Sequence, residues 1–297
     1  ADDRATYREE NRKAAAIAPG SKAAYNLARG AASTRMPHEA LRALAALDPD
    51  RPPMRGWRAY WSVLVSAQHQ VYDLEGALAN AREALRRYPD LQAFYYQVAE
   101  NLAALGREAE LDPVIDAFAS RHRSLDMFLV TVAAEADAHG HPELAERLLR
   151  RAMVVYDTLP EEDARSTRVR NWKGIALFAL GELEAAEAVF RGLRDERLSS
   201  DAWRAWVALI EGRRGDRAAA EAEIRRLLAK ETPQDVGTLS YYAAAVAAGM
   251  GDASRFVELM KQAEEAGRLH SEWDHRHPVF QAIRSDPAVQ ALMRPRG

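Results

Sequence analysis

The densest set of side chains able to hold a cation lies near the C-terminus, where His270, Glu272, Asp274, His275 and His277 fall within one short stretch. Imidazole and carboxylate groups are ligands for zinc and similar ions. The stretch lacks the HExxH spacing of a helical zinc motif, and a polar, aromatic end to the fold explains the same residues, so no metal is expected. His139-Gly140-His141 reads as a solvated turn. Pro19-Gly20-Ser21-Lys22 ends like a phosphate loop, but the first glycine of GxxxxGK[ST] is missing and no strand precedes it. The carboxylate pairs Glu161-Glu162 and Glu264-Glu265 sit in polar segments, without the apolar pocket that raises a carboxyl toward acid catalysis. The chain has no cysteine, which excludes disulfides, thiol nucleophiles and thiolate metal sites. A non-catalytic chain without a cofactor is expected.

Charge and hydropathy narrow the partners. Lys and Arg number 41 against 44 Asp and Glu, for a net charge of -3 over 297 residues. That balance argues against a general nucleic-acid or anionic-membrane surface. No apolar run approaches the roughly 20 residues needed to span a bilayer, so direct membrane insertion is not expected. The start at Ala1-Asp2-Asp3 reads as a mature terminus left by signal-peptide removal, which implies an extracytoplasmic, periplasmic location; a cytoplasmic location is the alternative.

The elements that would position any site are helical and repeated. In Asn171 to Leu193 the apolar residues Ile175, Leu177 and Phe178 precede Gly181, and Leu183, Val189, Phe190 and Leu193 follow it. Each half carries an apolar stripe at helical spacing, and a glycine between them can take the left-handed conformation that ends one helix and reverses the chain. Further glycines stand at Gly106, Gly140, Gly215 and Gly251, giving successive spacings of 34, 41, 34 and 36 residues. Seven residues before these five glycines come Ala99, Ala133, Gly174, Ala208 and Ala244, all small enough for two helices to approach closely. A lone hairpin of this size cannot bury its own apolar face and needs a neighbour on each side.

This period and small-residue pattern resemble the tetratricopeptide repeat (TPR) of the bacterial type. Trp61, Leu64, Ala77, Ala84 and Tyr88-Pro89 make Ala59 to Asp90 a further copy, with Tyr72-Asp73-Leu74-Glu75 in place of the turn glycine. Ser21 to Asp50 is a weaker copy, with Ala28, Ala40, Leu44 and Pro49 in matching places. The resemblance covers roughly residues 21–267. It implies an all-α, right-handed α-α superhelix of about seven TPR-like helix hairpins with a concave groove. Residues 1–20 would form an N-terminal capping helix and 268–297 a C-terminal helical cap, the whole being one structural domain. The tail is also similar to the end of TPR segments attached to bacterial regulators, such as membrane-linked serine/threonine kinases and winged-helix proteins.

Local signals place the breaks. Ser21 is an expected N-cap, and Pro49 to Pro53 an expected loop. Asp112-Pro113 predicts a second helix that starts late, with Asp112 as its cap. Leu159 to Asp163 accounts for the long 41-residue spacing, and Ser200-Asp201 and Thr232-Pro233 begin and separate later pairs.

In the TPR family the first helix of each pair lines the groove. That resemblance assigns Tyr25, Asn26, Arg29, Ser62, Ser66, His69, Tyr96, Gln97, Glu100, Thr131, Asn171, Trp172, Trp206, Tyr241 and Tyr242 to the partner-binding face. Aromatic side chains interleaved with amides and hydroxyls suit a protein partner: a peptide segment, a helix or a subunit of a larger assembly. Packing between repeats would use the same aromatics. A chaperone-tail clamp is not expected, because the matching places hold Tyr25, Arg29, Val63, Ala93 and Gln97, of which only Arg29 suits a carboxylate. The expected function is a protein-protein interaction scaffold or accessory subunit of a larger, membrane-associated complex. The alternative is a sensor or regulatory segment of a bacterial signalling protein, a kinase or transcription regulator. A helical-repeat enzyme is the distant third, since glycan-processing helical toroids have units longer than those found here.

Overall fold

The molecule is described by a computed structural model covering residues 2–196, 200–269 and 272–295. The described residues form helices and connecting turns, with no strand among them. The chain divides into two units; the first runs to Arg123 and includes the turn His139–His141, and the second holds Ser124–Ala138 and Pro142–Arg294.

In the first unit α1 (Asp2–Ile17) lies on α2 (Lys22–Ser33), which pairs with α3 (Pro37–Leu44). Two hairpins follow, α4 (Arg58–Gln70) with α5 (Leu74–Arg87), and α6 (Gln92–Ala104) with α7 (Glu108–Ala119). The first helices also touch one another, α2 on α4 and α4 on α6. Ser21 caps α2 as expected, its Oγ accepting from the Ala23 N–H at 3.2 Å. The core at this end joins Ala28, Ala31 and Ala40 to Met54, Trp61 and Phe94. Arg12 and Arg8 of α1 reach Glu39 and Thr34, so the charged face of α1 is tied to the first hairpin.

The second unit contains four hairpins: α8 (Leu125–Ala138) with α9 (Pro142–Thr158), α11 (Thr167–Ala179) with α12 (Leu183–Glu196), α13 (Asp201–Arg213) with α14 (Arg217–Lys230), and α15 (Thr238–Gly249) with α16 (Ala253–Glu265). The short α10 (Glu161–Arg165) fills the long connection before α11. A capped 3-10 turn at Pro233–Asp235 separates the last two pairs. The tail then forms α17 (Glu272–Arg276), a 3-10 turn at Pro278–Phe280 and α18 (Pro287–Met293). Among the described residues no helix is long and apolar enough to cross a membrane.

The seven hairpins turn in the same way. Each has one residue at positive φ: Arg35, Tyr72, Gly106, Gly140, Gly181, Gly215 and Gly251. At Gly181 the Glu182 N–H bonds back to the Leu177 carbonyl at 2.9 Å, and at Tyr72 the Asp73 N–H bonds to the Gln68 carbonyl at 3.0 Å. These are the same chain reversal, made with and without glycine. Asp73 then caps α5 by accepting from the Gly76 N–H. The expected late start of the helix at Asp112 is not found. α7 begins at Glu108, two residues after the turn glycine, and carries Pro113 inside it. The repeated reversal sets the start of the second helix, and the proline is absorbed at the loss of one backbone hydrogen bond.

Two substitutions test the turn and the packing. A left-handed L-residue costs roughly 1–2 kcal/mol and glycine's extra unfolded entropy about 0.5–1, so Tyr72→Gly, at a side chain 70% exposed, is expected to raise the urea midpoint. A Cβ at Gly174 would sit 2.7 Å from Phe190 Cζ. Overpacking costs about 1–3 kcal/mol and alanine returns about 1 as a helix former; Gly174→Ala is therefore expected to lower the same midpoint, and an unchanged value would show that Phe190 yields freely.

Candidate protein-binding face

In the first unit the face of α2, α4 and α6 is partly core. Tyr25, assigned to the groove from sequence, is buried, with its ring 5.1 Å from Trp57, because α2 turns this side chain into the cluster that seals the loop before α4. Asn26 is half-buried and Arg29 exposed, with Arg29 Nη2 donating to the Tyr7 hydroxyl at 3.4 Å. Ser62, Ser66, Tyr96, Gln97 and Glu100 are half-buried. A polar seam joins α4 to α6. Gln97 Nε2 donates to the Ser62 carbonyl at 3.2 Å, and Asn101 Nδ2 donates to the Gln97 carbonyl at 2.7 Å. Asn101 Oδ1 lies 3.1 Å from His69 Nδ1. Ser66 Oγ accepts from Gln70, and Tyr96 packs edge-on against Phe118.

His69 is buried, unlike an open groove residue, and its ring meets His139 edge-on at 5.6 Å. His141 also departs from the expected solvated turn: it lies over Gly106, with Nε2 3.2 Å from the Ala104 carbonyl oxygen. The missed residue here is Asn101, which is 1% exposed. A buried amide needs partners, and the small and apolar residues on either side of Glu100-Asn101, Val98-Ala99 and Leu102-Ala103-Ala104, were its signal.

In the second unit the row of first helices is covered from within the unit. The tail leaves the last hairpin and runs back along it: α17 lies on α8, the 3-10 turn at Pro278–Phe280 on α11 and α15, and α18 on α16. Arg276 Nη1 donates to Glu135 Oε2 at 2.6 Å, and Arg284 Nη1 to Asp137 Oδ2 at 2.7 Å. Gln281 Nε2 adds a bond to Asp137 Oδ1 at 3.1 Å. His275 Nε2 lies 3.5 Å from Glu135 Oε1. At the other end Tyr241 donates its hydroxyl proton to Asp274 at 2.8 Å, with the Arg268 guanidinium 3.8 Å above its ring. Burial, reinforced by the Asp274 carboxylate, pushes the Tyr241 phenol well above its ordinary value.

The remaining assigned residues fall around this tail. Trp206 stacks on Phe190, centroids 4.5 Å apart and nearly parallel, with His277 5.8 Å away on the tail. Tyr242 is half-buried beside Tyr241. Asn171 Oδ1 accepts from Trp203 Nε1 at 3.2 Å, and Trp172 is half-buried on the same helix. Thr131 is buried and donates to its own helix at the Met127 carbonyl, so it presents no free hydroxyl. Of the residues considered as cation ligands, His270 and the side chain of Glu272 lie outside the described residues. Asp274, His275 and His277 are engaged with Tyr241, Glu135 and Trp206.

Sequence reading missed Glu135 and Asp137, the two carboxylates that receive the tail. Glu135 is fully buried in a helix most of whose residues are apolar and buried. A carboxylate in such a helix requires a cationic partner, but nothing local to α8 indicates that it comes from Arg276, 141 residues on.

With this geometry in place, the fold defines an all-α protein of repeated helix hairpins in tetratricopeptide-like phase. No protein-family model and no curated protein matches the chain. Among solved structures it is similar to a tetratricopeptide repeat protein from Parabacteroides merdae, at 16% identity over 94% of this chain and 99% of that one, with a TM-score of 0.48.

Burial lowers the His277 imidazole to about 4, opposed by the Asp274 carboxylate and assisted by Arg284. The unfolded chain takes up this proton near its ordinary value of about 6.5. Between the two values the unfolded state binds more protons, so this contribution to stability is full at neutral pH and is lost as pH falls through that window. Tm is expected to drop from pH 7 to pH 5, and to drop less in His277→Gln. Equal drops would show that the imidazole remains solvated in the fold.

Proposed function

We propose that this chain is a non-catalytic protein-protein interaction scaffold, an accessory subunit of a larger, membrane-associated assembly, which binds its partner through the face of the first helices. The observation that carries this reading is the tail itself. A segment of short helices and turns with charged, aromatic and aliphatic side chains already lies on that face in the second unit, held by carboxylates at α8 and aromatic rings at α13 and α15. A surface that accepts one polypeptide segment in this way suits another. In the first unit, taken by itself, the half-buried Ser66, Tyr96 and Glu100 give the first helices a mixed aromatic and polar character. An extracytoplasmic location belongs to this proposal and is checked by cell fractionation of the native protein.

The reading is tested by site-specific photocrosslinking of the full chain in its native cells. A crosslinker at Ser66 or Glu100 is expected to trap a stoichiometric partner subunit. A crosslinker at Val154, exposed on the second helix of a pair, is expected to trap none. Capture from Val154 alone would overturn the assignment of the face. Recovery of the chain as part of a longer kinase or transcription regulator would favour a regulatory segment over an accessory subunit.

A further inference from the structure

The face of the second unit has a specific chemistry. Its α8 end offers two carboxylates two residues apart, Glu135 and Asp137, while its α13 and α15 end offers the rings of Trp206 and Tyr241. The tail matches it in order, with Arg276 for Glu135, Pro278-Val279-Phe280 for the aromatic side, and Arg284 for Asp137. We infer that this face takes in trans a peptide carrying two arginines eight residues apart around a proline-aliphatic-phenylalanine turn, and that the chain's own tail is its resident competitor. The inference rests on the interaction-scaffold reading and adds the partner's chemistry and its regulation.

Three features mark the tail as displaceable. Its helices α17 and α18 have five and seven residues, too short to persist without docking. The fit is incomplete: Nε and Nη2 of Arg284 are buried without a hydrogen-bond partner. A cleft of about 180 Å³ also remains between Pro278 and Gln281 of the tail and Ala134, Leu149 and Leu180 beneath it. The cleft opens to solvent, so water reaches the edge of the tail at Pro278 and Gln281. Charged anchors at Arg276 and Arg284, on either side of the buried Val279, Phe280 and Ile283, set the register, while the short helices and the partly used Arg284 guanidinium leave the segment exchangeable.

A tethered competitor acts at an effective concentration in the millimolar range, and the trans peptide therefore binds the wild-type chain only through the fraction in which the tail is open. The test uses the full chain and a fluorescent peptide with the sequence of residues 272–294, followed by anisotropy. Arg276→Glu/Arg284→Glu sets the tail against Glu135 and Asp137 and is expected to bind the peptide at least tenfold more tightly than wild type. Adding Glu135→Arg is expected to abolish that gain. Should the double reversal lower Tm, Arg284→Gln removes the Asp137 ion pair alone and is expected to bind two- to fivefold more tightly.

Equal affinity of wild type and the loosened chains would overturn the inference, as would dimerisation of the loosened chain without peptide binding, which would assign the face to a second copy. A random peptide display run in parallel separates the two readings. Display peptides that bind through Glu135, with no binding of the tail peptide, would remove the tail's role and leave the scaffold intact. Binding of neither would remove both.

Discussion

The structure depends on one constraint: a pair of short antiparallel helices exposes more apolar surface than it can cover by itself. Each hairpin is stable only when the next one presents a matching face at close range. The left-handed residue at every turn makes this possible, because it reverses the chain in the same geometry each time and returns the second helix in the same phase. Close range then sets residue size. A Cβ at Gly249 would fall 2.5 Å from the Leu209 carbonyl oxygen, so α15 and α13 touch backbone to backbone at that level. Phe190 fills the space left by Gly174 and stacks on Trp206 of the following hairpin, passing the contact onward.

The same constraint leaves the face of the first helices without a further hairpin, and in the second unit the tail covers it. In the first unit that face is narrowed by hydrogen bonding between Ser62, Gln97, Asn101 and His69. In the second unit α8 is apolar on nearly every side and includes a fully buried Glu135. Burial of that carboxylate is offset by the Arg276 guanidinium, with His275 beside it. Burial of Asp274 against the Tyr241 hydroxyl is the converse arrangement, with the acid on the tail and the donor on the repeat.

Much of the fold was legible in the sequence because turn chemistry and helix packing are local. Five glycines carried the phase, Ser21 its cap, and Asp73 the reversal beside Tyr72, and each occupies the expected place. Arg35 was silent, since an arginine at positive φ looks like any other surface residue until the Met36 N–H is seen bonded to the Ala31 carbonyl. Pro113 misled for a related reason: its local preference for a helix start was overruled by the reversal at Gly106, which had already set where α7 begins. The face was legible only by type. Helical phase identified Trp206 and Tyr241 as inward-facing, yet which residues meet them was set by a segment tens of residues away.

This last failure has a physical origin. A tyrosine or tryptophan that anchors a partner and one that anchors a segment of its own chain use the same apolar ring and the same polar tip. Tyr241 against Asp274 and Trp206 near His277 are interface contacts in every respect except connectivity. What separates the cis contact from a trans one is concentration: the tethered segment is always present, and an outside peptide must exceed that local supply. Residue type therefore reports an aromatic and polar face, and chain topology decides which segment of this chain reaches it. The contacts that hold the tail, Arg276 on Glu135, Arg284 on Asp137 and Asp274 on Tyr241, are of the kind an outside segment would have to reproduce to take its place.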